Sequence, residues 1–233
     1  MCGRYTTAGQ PTEFDARFDA SAAELGSALG RYNVAPRQQI AVVERAEDGK
    51  LSGLTARWGL LPRWAKTSKD RLQPINARND KLLESKMWRP LLNTASHRVL
   101  IPADGWYEWI KAEAKGEKPA PFHHTVDGGA WFAFAGLINT TKVDDLDEPI
   151  TTVTMVTTTA NGPAARIHDR MPAILAGRDE ELAWLNPDLG AEDAIELIQP
   201  LADDRVTLAP ASKKVNAVKN QGAELLDPTV ELD

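Results

Sequence analysis

A single cysteine, Cys2, stands directly behind Met1 in this 233-residue chain. Removal of Met1 would give Cys2 a free α-amine with a reference pKa of about 7.7–8.0 beside a thiol with a reference pKa of about 8.5. The amine of such an aminothiol condenses with an aldehyde to an imine, and the sulfur then closes onto the same carbon to give a thiazolidine ring. Alternatively, the thiol attacks a substrate with its own amine as the base. Position alone favours the simpler interpretation, in which Cys2 is an ordinary small residue without a chemical role.

Two further side chains have the chemistry to move protons. Glu108 lies among aromatic residues on a predicted strand, whose alternation places Trp106 and Glu108 on one face and Tyr107 and Trp109 on the other. Aromatic neighbours partly desolvate a carboxylate, which raises its pKa toward the range useful for acid–base catalysis. His168 lies in a loop-like stretch beside an aspartate and an arginine, where an imidazole can donate or accept a proton. A surface histidine is the commoner case.

Polar and aromatic residues that suit nucleic acid fall in predicted loops and extended segments. Asn76 and Arg78 are two residues apart in an extended segment and would face the same side. Trp64 and Pro36 could act as apolar wedges against stacked bases, although a Trp folded under its own loop is equally compatible. Arginine side chains bind phosphates well, and several border these loops, at positions 4, 31, 37, 57, 63 and 78.

The charge of the chain is unevenly distributed. The formal net charge is −6, yet residues 1–111 contain 17 basic and 12 acidic side chains, whereas residues 112–233 contain 10 and 21. This imbalance predicts a local basic surface in the first half. The acidic run Asp144-Asp145-Leu146-Asp147-Glu148 belongs to the other half and is simply interpreted as a solubilising loop.

Composition predicts one domain in a reducing compartment. A hydrophobic fraction of 42% suffices for one core over residues 1–233. One cysteine excludes an internal disulfide, and neither a signal peptide nor a membrane span is found, so a cytoplasmic protein is expected. The adjacent His123 and His124 would point to opposite faces of a strand, and no Cys-x-x-Cys or His-x-x-x-His spacing occurs. No metal and no cofactor are therefore expected.

Turn signals and periodicity predict an α+β domain around a mostly antiparallel sheet or barrel. The Asp48-Gly49 pair predicts a hairpin between strands at 39–46 and 51–58, and Asp127-Gly128-Gly129 predicts another over 122–138. Apolar spacing predicts helices over 11–29 and about 80–88, whereas residues 30–36 are predicted to be a loop. Further strands are predicted at 98–103, 106–109, 150–159 and 205–209, and further helices at 179–185 and 192–201.

Seven motifs follow one another in a fixed order along the chain. They are Cys2-Gly3-Arg4-Tyr5, Gly30-Arg31-Tyr32-Asn33-Val34-Ala35-Pro36, Trp58-Gly59-Leu60-Leu61-Pro62, Ile75-Asn76-Ala77-Arg78, Pro102-Ala103-Asp104-Gly105-Trp106-Tyr107-Glu108-Trp109, Ile167-His168-Asp169-Arg170-Met171-Pro172 and Val215-Asn216-Ala217-Val218. In these motifs, from Cys2 to about Pro228, the chain resembles the SOS-response-associated peptidase family, also called abasic-site processing proteins. The family usually has Glu two residues after the arginine of the Asn-Ala-Arg motif, where this chain has Asp80, which retains the carboxylate.

The resemblance implies a single-domain α+β fold with a barrel-like antiparallel sheet and peripheral helices. It implies a monomer that binds abasic sites in single-stranded DNA and crosslinks to them through Cys2, with the replication machinery as a further candidate partner. Cys2, Asn76, Glu108 and His168 match the catalytic positions. The DNA-binding set expected from the motifs and loops is Arg4, Pro36, Trp64, Arg78, Trp109 and Arg170.

Two rival interpretations remain open at the level of sequence. One is an N-terminal-nucleophile hydrolase in which Cys2 attacks an amide, since glutamine amidotransferases also begin Met-Cys-Gly. A peptidase that removes only its own leader is a minor form of this rival. The other is a non-covalent DNA reader in which Cys2 is incidental.

Overall fold

Two β-sheets with short helices around them make up the structure. The computed structural model describes residues 2–110 and 119–228. The helices are α1 (Pro11–Phe18), α2 (Ala22–Leu25), α3 (Asn79–Leu82), α4 (Arg89–Leu92), α5 (Gly162–Ala165), α6 (Arg178–Trp184) and α7 (Ala191–Glu196). The strands are β1 (Arg4–Thr7), β2 (Arg31–Val34), β3 (Gln39–Arg45), β4 (Leu51–Trp58), β5 (Asn76–Arg78), β6 (Arg98–Ala103), β7 (Gly105–Ile110), β8 (Ala120–Val126), β9 (Phe132–Thr141), β10 (Ile150–Thr159), β11 (Arg170–Pro172), β12 (Ile174–Leu175) and β13 (Val206–Pro210).

Five strands of the larger sheet close into a barrel. Its neighbours run β3–β4–β10–β9–β6 and return to β3, and every pair is antiparallel except the parallel pair β4–β10. Strands β5 and β11 extend the sheet alongside β10, and β12 pairs with β9. The second sheet is antiparallel throughout, in the order β13–β8–β7–β1–β2. This architecture confirms the predicted α+β class, with a barrel-like and mostly antiparallel sheet and peripheral helices.

The barrel strands bury side chains on both faces. On β3, Ile40 and Val42 belong to a cluster that includes Tyr5 and Trp106 of the second sheet. Their neighbours on β3 point the other way, into a cluster covered by the helices. A strand that is buried on both faces needs apolar residues at consecutive positions. Residues 40–43 of β3 are all apolar, as this requires. Opposite faces of the barrel strands therefore pack with side chains of the second sheet and with side chains of the helices.

Three helix predictions are wrong in their length, and the one over 192–201 corresponds to α7, which ends at Glu196. Residues 11–29 form α1 and α2 with a break between them, because Asp19 adopts a left-handed conformation at φ 52° and Asp15 accepts the Ala22 N–H at 2.6 Å. Residues 80–88 likewise form only α3 and the approach to α4. In both stretches the apolar spacing reflects packing against the barrel rather than one continuous helix.

The predicted strands are present, but only one of the two predicted hairpin pairings is confirmed. The hairpin of β3 and β4 is confirmed, with Arg45 opposite Leu51. The hairpin predicted over 122–138 is wrong, because β8 pairs with β7 and β13, while β9 pairs with strands of the barrel. The turn at Gly128-Gly129, with positive φ at both residues, carries the chain from one sheet to the other. The loop predicted over 30–36 is wrong in part, since β2 lies within it.

Within the described residues, none of the helices has the length and apolar character needed to cross a membrane.

A buried ion pair joins α1 to α6. Arg17 donates to the Glu181 carboxylate at 2.6 Å, and that carboxylate is fully buried. Burial raises the pKa of Glu181 to about 7, against the opposing effect of Arg17. Loss of water contact therefore outweighs the ion pair at this position.

We expect this carboxylate to make stability depend on pH. Its folded pKa lies above its unfolded value, so the unfolding free energy should fall as pH rises from about 4.5 to about 7, by at most about 3 kcal/mol. Glu181→Gln, which is neutral at every pH, should lose this dependence in chemical denaturation measured over that range. Glu180→Gln, at an exposed neighbour, is the control and should behave as wild type. Equal slopes for Glu181→Gln and wild type would contradict the assignment.

Candidate active site at the first strand

Cys2 lies at the junction of the two sheets. Strand β1 pairs with β7 so that Arg4 faces Tyr107, which brings the residues before Arg4 alongside the end of β7 that carries Glu108. Cys2 is fully buried in the cluster that also contains Trp58. Its Sγ donates to the Arg4 carbonyl at 3.5 Å, and its own carbonyl accepts from Asn76 Nδ2 at 2.9 Å.

Burial sets the protonation of both groups at this junction. It raises the pKa of the Cys2 thiol well above its usual range, and the negative charge of Glu108 raises it further. Burial also raises the pKa of Glu108 to about 7, with an added contribution from Asp169. The thiol is therefore neutral near pH 7, while Glu108 exchanges a proton readily at that pH.

Asn76 is held by the barrel rather than by its own loop. Strand β5 runs parallel to β10 with Asn76 opposite Met155, and the Trp58 indole N–H donates to the Ile75 carbonyl at 2.9 Å. Ala77 is buried toward the helices, so Asn76 and Arg78 leave the strand on the opposite side. This agrees with the expectation that the amide and the guanidinium share a face.

Asp80 links two arginines of the expected DNA-binding set, Arg78 and Arg170. Its carboxylate accepts two bonds from Arg78, at 3.0 and 2.8 Å, and lies 3.6 Å from Arg170. The Arg170 side chain is buried and donates to Asn79 Oδ1 at 3.0 Å, whereas Arg78 is half exposed. In the structure, Asp80 therefore orients both guanidinium groups.

His168 has a partner for each of its protonation states. The Arg170 N–H donates to His168 Nδ1 at 3.0 Å, and Asp169 Oδ1 lies 2.9 Å from the same nitrogen. One nitrogen cannot accept from the amide and donate to the carboxylate at once. In the neutral ring Nδ1 accepts and Nε2 carries the proton, whereas in the imidazolium Asp169 takes the new N–H. Since Asp169 also acts on Glu108, this loop borders the same site.

Arg4 and Trp109 hold a distant part of the chain. Arg4 donates to Asn33 Oδ1 at 3.0 Å and to the Val215 carbonyl at 2.7 Å, and it lies 6.0 Å from the centre of the Trp109 ring. The Trp109 indole N–H donates to Asn216 Oδ1 at 2.8 Å. Arg4 therefore fastens the segment around residue 215 to β1, and Trp109 fastens it to the neighbouring strand β7. DNA contact by either one stays a prediction.

Pro36 and Trp64 lie in loops on either side of Trp58. Pro36 is in the turn that ends with Arg37, whose N–H donates to the Trp58 carbonyl at 2.8 Å. Trp64 is 61% exposed rather than folded under its own loop, and it helps to line a cavity of about 340 Å³ with Met87. Their contact with DNA is likewise a prediction.

Sequence reasoning missed the residues that hold the site from behind. The most important is Trp58, whose indole fixes the carbonyl before Asn76. Asn79 and Thr157 hold the Arg170 guanidinium, which donates to the Asn79 side-chain oxygen and to the Thr157 carbonyl. Trp58 belongs to one of the seven motifs, but nothing in its spacing shows which carbonyl it reaches. Across residues 2–110 and 119–228, no group of three His, Cys, Asp or Glu side chains is placed to hold a metal ion.

Comparison with known proteins gives one family throughout. Residues 1–218 match the family described as SOS response associated peptidase (SRAP). The chain is 38% identical to the abasic site processing protein YoaM of Bacillus subtilis over 231 residues, covering 97% of this chain and 98% of that protein. It is 33% identical to the abasic site processing protein YedK of Escherichia coli, covering 86% and 85%. A crystal structure from Bacteroides thetaiotaomicron, 21% identical, superimposes with a TM-score of 0.83 over 97% of this chain and 99% of that one, and so shares the fold.

Arg4 offers a test of its structural role. Arg4→Lys keeps the positive charge but lacks the planar guanidinium, whose Nη1 donates to Asn33 and Val215 and whose Nη2 donates to the Asn216 carbonyl. We expect the unfolding free energy to fall by about 1–3 kcal/mol in chemical denaturation. Arg78→Lys, at an exposed position, is the matched control and should leave stability unchanged. Wild-type stability in Arg4→Lys would refute the structural assignment.

Proposed function

The chain belongs to the SRAP family, and from that premise we propose that it binds abasic sites in single-stranded DNA and links to them covalently through Cys2. The observation that carries the proposal is the placement of Cys2. Its carbonyl is fixed by Asn76 while its thiol lies within the electrostatic reach of Glu108. The relatives named as abasic site processing proteins support the choice of substrate.

The first chemical step needs a free amine on Cys2. Met1 lies outside the described residues, and its removal is part of the proposal. An abasic deoxyribose is a cyclic hemiacetal in equilibrium with a small fraction of open aldehyde. The Cys2 amine attacks the aldehyde carbon, and the resulting carbinolamine loses water to give an imine. Asn76 fixes the direction of the amine by holding the Cys2 carbonyl.

Ring closure follows on the same carbon. The Cys2 sulfur bonds to the imine carbon, its proton leaves for Glu108, and the imine nitrogen gains a proton. Because burial keeps the thiol neutral at rest, a base must take its proton as the S–C bond forms. Glu108, with a pKa of about 7, suits that task and can return the proton in the reverse step. The net reaction consumes aminothiol and aldehyde and releases one water.

His168 is assigned to the opening of the sugar. An imidazolium gives its Nε2 proton to the ring oxygen while the hemiacetal hydroxyl passes its proton to Glu108, and the aldehyde is released. The neutral ring that remains keeps its Nδ1 proton, whose hydrogen bond Asp169 accepts. By microscopic reversibility the same group assists reversal of the adduct.

Phosphate contacts are assigned to Arg78 and Arg170. The half-exposed Arg78 is positioned for direct contact, and the buried Arg170 adds positive charge behind it. Pro36 and Trp64 remain proposed base contacts, and Arg4 and Trp109 are proposed to act beside them. The rival reactions, amide hydrolysis by Cys2 and non-covalent binding, are outcomes of the test below.

The central experiment combines Cys2→Ser with trapping. The purified chain is mixed with abasic single-stranded DNA, beside peptide and glutamine substrates, after mass spectrometry of its N-terminus. Wild type should give an adduct that survives heating without reductant. Cys2→Ser keeps the amine but supplies a poorer ring-closing atom, so its adduct should appear only after borohydride reduction.

A heat-stable adduct from Cys2→Ser without reductant would refute the thiazolidine. Hydrolysis without any adduct would favour the hydrolase, and binding without either would favour the reader.

Glu108→Gln tests the proton path. The amide keeps the shape of the side chain but cannot take a proton, so crosslinking should slow by about 10²–10⁴-fold while DNA affinity changes little. Wild-type crosslinking should fall below about pH 7 because both the amine and Glu108 become protonated, whereas Glu108→Gln should respond to the amine alone. Glu44→Gln is the control, since burial also raises the pKa of Glu44 but it lies on β3. Identical pH profiles for Glu108→Gln and wild type would remove Glu108 from the path.

A further inference from the structure

A basic loop leads directly into the candidate site. Residues 62–73, here called the basic loop, connect β4 to the approach to β5, the strand that carries Asn76 and Arg78. The loop has one acidic residue, Asp70, and its exposed side chains include Trp64 and Leu72. Its four cationic side chains are all exposed, and they are Arg63, Lys66, Lys69 and Arg71. A chain with a net charge of −6 thus concentrates positive charge in the segment that leads to Asn76 and Arg78.

An acidic loop runs alongside the basic one. Residues 144–148, here called the acidic loop, connect β9 to β10 and contain four exposed carboxylates. By charge alone, this loop would weaken the binding of any polyanion nearby. Its composition indicates no task beyond solubility.

The two loops are joined by specific hydrogen bonds. Asp145 accepts the Ser68 N–H at 2.7 Å with one oxygen and the Ser68 hydroxyl at 2.8 Å with the other. The Asp144 N–H donates to the Lys66 carbonyl at 2.8 Å. The Ser68 hydrogen bonds also hold the pKa of Asp145 below its usual value. Asp145 therefore clamps the middle of the basic loop.

The basic loop is ordered around this clamp. Asp70 accepts from the Lys66 N–H and from the Thr67 hydroxyl, each at 2.8 Å. Arg57 of β4 donates to the Ser68 carbonyl at 3.0 Å. Ser68 is thus held from both sides, by Asp145 through its N–H and hydroxyl and by Arg57 through its carbonyl. A loop without helix or strand gains its single conformation from such bonds.

We propose that Asp145 is a positioning residue for DNA binding, which holds the basic loop so that its cations meet the phosphates of a strand leading to the site. The proposal rests on the proposed function. Ordering a flexible, cation-bearing loop upon binding lowers affinity, and a loop already ordered avoids that loss. Asp145 thus favours DNA binding by ordering the basic loop, whereas its negative charge opposes DNA binding. Replacing Asp145 should weaken binding if the ordering dominates and strengthen binding if the charge dominates.

The experiment compares two variants that remove the same charge from the acidic loop. Asp145→Ala removes the clamp, and Asp147→Ala is the matched control, since Asp145 is the residue that accepts from Ser68. Affinity for single-stranded DNA is measured over a range of salt concentrations by fluorescence anisotropy. We expect Asp145→Ala to bind about three- to tenfold more weakly than wild type, as ordering one or two side chains would require. Its log–log salt slope should be shallower by about 0.7 for each phosphate that the loop no longer neutralises.

Asp147→Ala should bind as wild type or slightly more tightly. Ser68→Ala, a milder change, removes the hydroxyl bond to Asp145 and should weaken binding in the same direction. In the double variant with Asp145→Ala, the two effects should not add, because both act on one contact. Thermal unfolding of each variant distinguishes loss of the clamp from loss of the fold.

The outcomes separate this proposal from the proposed function. If Asp145→Ala binds as tightly as Asp147→Ala, or more tightly than wild type, the clamp has no positioning role and charge alone acts. An additive double variant, or an unchanged salt slope, would also overturn it. If wild type itself fails to bind single-stranded DNA, the proposed function fails instead.

Discussion

The pairing of β1 between β2 and β7 is the constraint on which the site depends. It fixes Cys2 at the point where the second sheet meets the barrel, and it places Glu108 on the adjacent strand. The barrel then supplies Asn76 from the opposite side, through the parallel pairing of β5 with β10. Three segments that are far apart in the chain thus converge on one residue, and none of them could position it alone.

Burial at this junction has opposite consequences for the reactivity of Cys2 and of Glu108. Loss of water stabilises the neutral forms of both Cys2 and Glu108. A neutral thiol is a weak nucleophile, so a buried cysteine by itself would be inert. In the proposed mechanism, Glu108, a carboxylate with a raised pKa, supplies the missing base in the same environment. The low polarity that suppresses one group therefore prepares the other.

The sequence predicts the types of elements better than their partners. The Asp48-Gly49 turn and the alternation on β7 are enough to predict a hairpin and a two-faced strand, because both signals are local. The helix over 11–29 and the hairpin over 122–138 fail because tertiary packing decides where a helix breaks and which strand pairs with which. Within the site, the motifs identify Asn76 and Glu108 as candidates. They cannot show the contacts of Arg4, since Val215 lies more than two hundred residues away along the chain.

The attachment of residues 215–221 to the first strand bears on the order of folding. Asn33 Nδ2 donates to the carbonyls of Val215, Ala217 and Asn220, and Gln221 bonds back to the backbone of Asn33. The anchoring of β1 through Arg4 and of β2 through Asn33 is therefore completed only after almost the whole chain has left the ribosome. Contacts of such long sequence separation form late, because a large loop has to close before they are made. Strands β1 and β2 thus lack this support until synthesis is nearly finished.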